Sequence, residues 1–177
     1  MRYINRVRRY QLNARSRALA DALGLLGYPG FQTLFTELLA DEAAAQDPAI
    51  VLTAALASND LDPRVAEALP WLVLRYPNLD WNWTIKEARR RKVQNRLGYV
   101  ISLALQAGSA ATDPETLVKL SNIEEEVFTV RLEAEDTFCE RLAEEQRAWL
   151  RATAPPEARQ WNIVCGLRAK DLPYATP

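Results

Sequence analysis

No histidine occurs anywhere in this chain. The commonest general base and the commonest transition-metal ligand are therefore missing. The two cysteines, Cys139 and Cys165, fit neither a metal-ligand spacing nor a disulfide framework, and a reducing cytoplasm is the expected setting. Glycine is scarce, with six in 177 residues, and neither a glycine-rich phosphate loop nor a nucleophile elbow is present. No apolar run approaches a membrane span, and the basic N-terminus lacks the apolar stretch and cleavage site of a signal peptide. The expectation is a soluble protein with no metal, cofactor or membrane partner, and not an enzyme. Carboxylate clusters do occur at Asp60/Asp62 and Glu133/Glu135/Asp136. They read as a helix cap and a solvated helix face rather than as acid–base pairs.

What is abundant favours helix. Hydrophobic residues make up 49% and charged residues 25%, the mix of an ordinary folded domain, with alanine and leucine dominant. Ser16 is positioned to cap a helix through Leu19, Leu23 and Leu26 that Gly27 would stop. Phe31, Leu34, Phe35, Leu38 and Leu39 repeat at helical spacing. Asp-Pro pairs at 47, 62 and 113 each place an N-cap before a proline at the first helical position. Pro70 predicts a kink or a split in the second of these segments, which runs from Val65 to Tyr76. Asp80 would cap a helix from Trp81, and the stretch from Val93 to Ala104 reads as the most buried helix, with Gly98 allowing close packing. A helix around Leu142–Leu150 ends at Pro155-Pro156. Ile163–Cys165 is the one strand candidate and is too short for a sheet. Irregular spacing of the Asp-Pro starts argues against a helical solenoid. The predicted fold is all-α: a single helical domain over 1–177, with a basic arm or first helix at 1–17 and an irregular tail at 155–177. Trp161, Ile163, Val164 and Leu167 would anchor that tail.

Net charge is −1, yet the charges are segregated. Arg2, Arg6, Arg8, Arg9, Arg15 and Arg17 precede residue 18 with no acid among them. Lys86, Arg89, Arg90, Arg91, Lys92 and Arg96 form a second cluster opposed only by Glu87. Residues 18–63 carry seven acids and no Lys or Arg, and residues 113–157 carry twelve acids against five basic residues. Arginines on one helical face, with Tyr3 and Tyr10 interleaved, suit contacts with phosphates and bases. The second cluster offers a concentrated positive surface able to neutralise phosphates. Both admit a plainer reading: arginines paired with the acidic segments, and a helix C-terminus complementing its macrodipole.

Two further patterns bear on partners. Trp71, Trp81 and Trp83 cluster near Tyr76, either as an interface hot spot or as a core corner around Pro77. With the acidic run Glu124, Glu125 and Glu126 on an outer helix face, they are the candidate protein-binding residues. The segment from Ala18 to Gly24 has the Ala-to-Gly spacing of a helix-turn-helix, but Pro29-Gly30 would break the recognition helix.

The phrases Leu61-Asp-Pro-Arg-Val-Ala-Glu-Ala-Leu-Pro-Trp, Leu79-Asp-Trp-Asn-Trp, Gln94-Asn-Arg-Leu-Gly-Tyr-Val and Ala158-Arg-Gln-Trp-Asn-Ile lie within 61–104 and 133–174. Through them about half the chain resembles a bacterial family of regulator or antitoxin accessory domains, attached to or encoded with helix-turn-helix proteins of toxin–antitoxin type. The resemblance implies a non-catalytic module that binds a protein partner. The chain departs from the family pattern in having no clear helix-turn-helix before these phrases, which weighs against direct operator contact. Two alternatives stand beside the antitoxin-like reading: a DNA- or RNA-binding protein using residues 2–17 and 86–96, and a helical adaptor or scaffold.

Overall fold

In the computed structural model, residues 13–31, 46–108 and 112–174 are described. Eight α-helices occur among them: α1 (Ala14–Leu25), α2 (Pro48–Leu56), α3 (Pro63–Arg75), α4 (Trp81–Arg91), α5 (Gln94–Gly108), α6 (Pro114–Thr129), α7 (Glu144–Thr153) and α8 (Pro156–Gln160). The fold is all-α, and no strand forms among the described residues. Two single bridges, Asp60 with Cys139 and Asp136 with Ile163, are the nearest approach to a sheet. The helix predicted from Phe31 to Leu39 lies outside the described residues beyond Phe31 itself.

The helix starts follow from short side chains that accept backbone N–H groups otherwise left without partners. Asp47, Asp62 and Asp113 accept from Ala49, Arg64 and Thr116 at 2.8, 2.9 and 2.8 Å, each with proline at the first turn. The Thr116 N–H holds the Asp113 carboxyl below its ordinary range. Asp80 caps α4 by accepting from Trp83 N. At α1 the expected cap is displaced: Asn13, not Ser16, accepts the bond, from Ser16 N at 2.7 Å. Ser16 sits inside the first turn, buried, and its Oγ accepts from Asp62 N. Gly27 ends the α1 segment with φ +96°. Gly24 does not begin a turn, as a helix-turn-helix would require. It is a buried residue of α1 whose Cβ would lie 2.6 Å from the Phe31 carbonyl oxygen.

Pro70 neither splits nor ends α3. Proline removes one N–H and crowds the carbonyl a turn earlier, so the ladder around it opens. The Tyr174 hydroxyl fills that opening. It accepts from Trp71 N at 3.0 Å and donates to the Glu67 carbonyl at 2.6 Å, the two groups that would otherwise bond each other. Burial raises the Tyr174 phenol well above its ordinary value, so it keeps the proton this bridge requires.

At the centre of the molecule lies α5. Thirteen of its fifteen residues are buried, including Leu97, Ile101 and Leu103. It packs on α3 and α6, and a helix covered on every side needs small residues where neighbours come closest. Gly98 is such a residue: a Cβ there would stand 2.3–2.4 Å from three ring atoms of Trp161. The same indole donates to Ser102 Oγ at 2.7 Å, and the ring of Phe128 on α6 meets it edge-on at 5.4 Å. The tail is anchored as expected, with Trp161, Ile163 and Val164 buried and Leu167 half-buried. It holds more order than an irregular tail implies, containing α8 and a 3₁₀ turn at Ala169–Asp171.

Two measurements check this packing. Gly98→Ala should lower stability in urea unfolding by about 1–3 kcal/mol, because the Trp161 ring must shift. Tyr174→Phe should cost about 1–3 kcal/mol by orphaning the Glu67 carbonyl and Trp71 N–H. In a Pro70→Ala background that second loss should shrink, since the two groups can then bond directly.

Candidate functional site

The second basic cluster divides into three environments. Α break separates it from the buried helix: Lys92 adopts the left-handed conformation, φ 59°, and α4 stops there. Arg89, Arg90 and Arg91 thus lie in the last turn of α4, where the helix dipole favours positive charge. Arg90 and Arg91 both bond Glu87, with Nε distances of 2.8 and 2.6 Å. Those guanidiniums hold the Glu87 carboxyl down at about 2, Arg90 contributing most. Lys86, Arg89 and Lys92 are exposed and make no ion pair among the described residues. An open cleft of about 660 Å³, lined by Asn82, Ile85, Lys86, Arg89, Arg90 and Glu126, runs between α4 and α6.

Arg96 does not belong to this surface. Only 4% exposed, it donates from Nε and Nη2 to both Asp136 oxygens at 2.8 and 2.7 Å. Its Nη1 donates to the Leu56 and Ser58 carbonyls, each at 2.8 Å, closing the C-terminal end of α2. A buried charge must be paired, and Asp136 also accepts from Thr137 N. The 133–136 segment is therefore not a solvated helix face: it is loop, with Asp136 committed to Arg96 and Glu135 to Arg151.

Of the first cluster, Arg2, Arg6, Arg8 and Arg9 lie outside the described residues, as do Tyr3 and Tyr10. Arg15 and Arg17 are exposed on α1 without an ion pair among the described residues. The start of α1 is fixed against the turn that follows α2: Asn13 Nδ2 donates to the Asp60 carbonyl at 3.0 Å. Arg96 reaches the same turn from the start of α5, three residues beyond the end of α4. The residue that caps α1 and the first turn of α5 thus both bond the segment 56–60. Nothing in the sequence signals that convergence.

The tryptophan patch is divided. Trp81 is core, 7% exposed, with its indole N–H donating to the Pro77 carbonyl. Trp71 is half-buried among Tyr28 and Tyr76, at ring distances of 5.2 and 6.4 Å. Together they form the corner around Pro77. Trp83 is exposed at 39%. On α6, Glu124 accepts a hydrogen bond from Ser102 Oγ, while Glu125 and Glu126 face outward. The most exposed tryptophan is Trp149, at 65%, on α7, a helix with no buried residue. A tryptophan inside the polar run Glu144–Arg151 was the sequence signal for it.

A second site has no counterpart in the sequence reading. Α cavity of about 410 Å³ opens between α3, the 137–142 segment, α7 and the tail. Its walls are largely apolar, with Glu67, Thr137, Asp171 and both cysteines on its lining, and no Lys or Arg among the lining residues. Burial, and then the charge of Asp62, raises the Glu67 carboxyl above its ordinary value. Cys139 and Cys165 are both free thiols, and burial raises that of Cys165. Among the described residues, no group of His, Cys, Asp or Glu converges as metal ligands would. No helix among them is long and apolar enough to cross a membrane. No protein-family model, curated protein or solved structure matches this chain.

The two kinds of cation should separate on mutation. Arg96→Gln removes a buried guanidinium that pairs the partly buried Asp136 and caps two carbonyls, and should cost about 3–5 kcal/mol in urea unfolding. Lys92→Gln, at an exposed position, should stay within about 0.5 kcal/mol of the parent.

Proposed function

We propose that this chain is a non-catalytic regulatory binding protein that engages a polyanion, a nucleic acid, through the basic end of its helical bundle. One observation carries the reading: Arg15, Arg17, Lys86, Arg89 and Lys92 are exposed and make no ion pair among the described residues, and Asn13 before α1 and Arg96 just after α4 both bond the turn that follows α2. Arginine and lysine that already serve a carboxylate gain little from a phosphate; these five gain the whole contact. Arg90 and Arg91 form a reserve, since their shared acceptor Glu87 is a single carboxylate that two phosphates could replace. Arg2, Arg6, Arg8 and Arg9 precede Asn13 in the sequence and lie outside the described residues.

An antitoxin-like reading, in which the partner is a protein, is favoured by a different observation. Trp149 stands 65% exposed on a helix that buries no side chain, and tryptophan is enriched at interface hot spots. It accords with the resemblance to antitoxin accessory domains. The two readings use separate surfaces.

Fluorescence anisotropy with a labelled 20-base-pair duplex and a matching single strand, between 50 and 200 mM salt, tests the first reading. Affinity should fall steeply with salt, and each of Lys86→Gln, Arg89→Gln and Lys92→Gln should reduce the logarithmic slope on duplex by roughly 0.9. Glu87→Gln should tighten binding by releasing Arg90 and Arg91. Binding that ignores salt, or is unchanged in the triple Gln variant, defeats the reading. Trp149→Ser should leave the salt slope as it is.

A further inference from the structure

We propose that the cavity between α3, α7 and the tail binds a small lipophilic cation: an apolar body carrying one protonated amine. None of the five cations of the polyanion reading lines it, so it stands or falls apart from that reading.

The size comes first. About 410 Å³ lies within the usual range for small-molecule sites, roughly 300–1,000 Å³. The wall sets the apolar half of the ligand. Leu61, Phe138, Leu142, Leu150, Val164 and Leu167 present hydrocarbon to the space, and covering it releases water from an apolar surface. The charge sets the other half. Glu67 and Asp171 are the two ionisable carboxyl groups on the lining, and no cationic side chain lines it with them. Arg64 acts on Glu67 through its charge, and its Nε lies 3.3 Å from Asp62. A carboxylate half-withdrawn from water beside hydrocarbon gains from an ammonium group that follows it into the site. A carboxylate ligand of the same shape would instead meet like charge.

Access fits this role. Helix α7 forms part of the covering, and Leu150 is its contribution to the wall. It is held mainly by polar links at its margins. Arg151 bonds Glu135 at 2.7 and 2.8 Å, and Arg147 bonds the Glu140 carbonyl at 2.8 Å. A helix attached by exposed ion pairs and no buried side chain opens at low cost compared with the core.

The chain's two cysteines both line this cavity, which provides a direct readout of occupancy. The full-length protein is titrated with n-octylammonium, octan-1-ol and n-octanoate by calorimetry, and thiol labelling by neutral iodoacetamide is followed at each concentration. Octylammonium should bind one to one and slow labelling of Cys139 and Cys165. Octanol should bind at least tenfold more weakly, and octanoate more weakly still. Glu67→Gln should weaken octylammonium about tenfold without changing octanol. Asp171→Asn is the second charge variant, and Leu150→Trp, which fills the space, should abolish binding of both. Octanoate or octanol binding as tightly as octylammonium overturns the proposal. So does octylammonium binding without thiol protection, or binding indifferent to both Glu67→Gln and Asp171→Asn.

Discussion

Helix α5 is buried nearly all round, yet its sequence is not all apolar, and the rest of the molecule is arranged around that conflict. Each polar group on it must find a partner away from water or cost several kcal/mol. Most of the partners come from chain that follows residue 130. Asn95 exchanges two bonds with the Leu132 backbone, at 2.9 and 2.8 Å. Arg96 takes Asp136, and Tyr99 donates to the Leu167 carbonyl. Ser102 receives the Trp161 indole and donates to Glu124. An apparently loose C-terminal third is therefore the polar complement of the central helix.

Tyr174 extends the principle to a second helix. Pro70 opens the α3 ladder, and a hydroxyl from the end of the described chain closes it. The helix runs on through the proline because the tail hydroxyl bridges the Trp71 N–H and the Glu67 carbonyl. Seating the tail also makes the cavity, since its apolar wall joins α3 to residues that reach it only after the tail has packed. Core construction and site construction are one process here.

Charge follows the same logic of commitment. Arg96 is spent inside, closing α2 and pairing with Asp136, while Arg90 and Arg91 share one carboxylate at the surface. What remains for a partner is set by subtraction. Lys86, Arg89 and Lys92 stay in water because the left-handed turn at Lys92 ends α4 before its basic face could be drawn under the core. The cleft beside them carries Glu126 on its far wall, so the basic surface has an acidic rim.

Much of this was legible in the sequence alone: the all-α class, the Asp-Pro starts of α2, α3 and α6, the buried helix around Leu97, and the tail anchored by Trp161. These rest on local chemistry, in which a short acceptor meets an N–H two or three residues away and hydrophobic spacing matches a helical turn. The fate of individual charges and tryptophans was not legible. Arg96 and Lys92 look alike in sequence, as do Trp81 and Trp149, because their roles depend on residues 38 to 40 positions distant in the one case and on a missing neighbour in the other. Tertiary contacts decided which cations were paired among the described residues, turned Pro70 from a break into an interior residue, and built a cavity from segments that share no local pattern. Composition and spacing specify elements; burial and pairing, which act through space, specify which side chains are left over to bind.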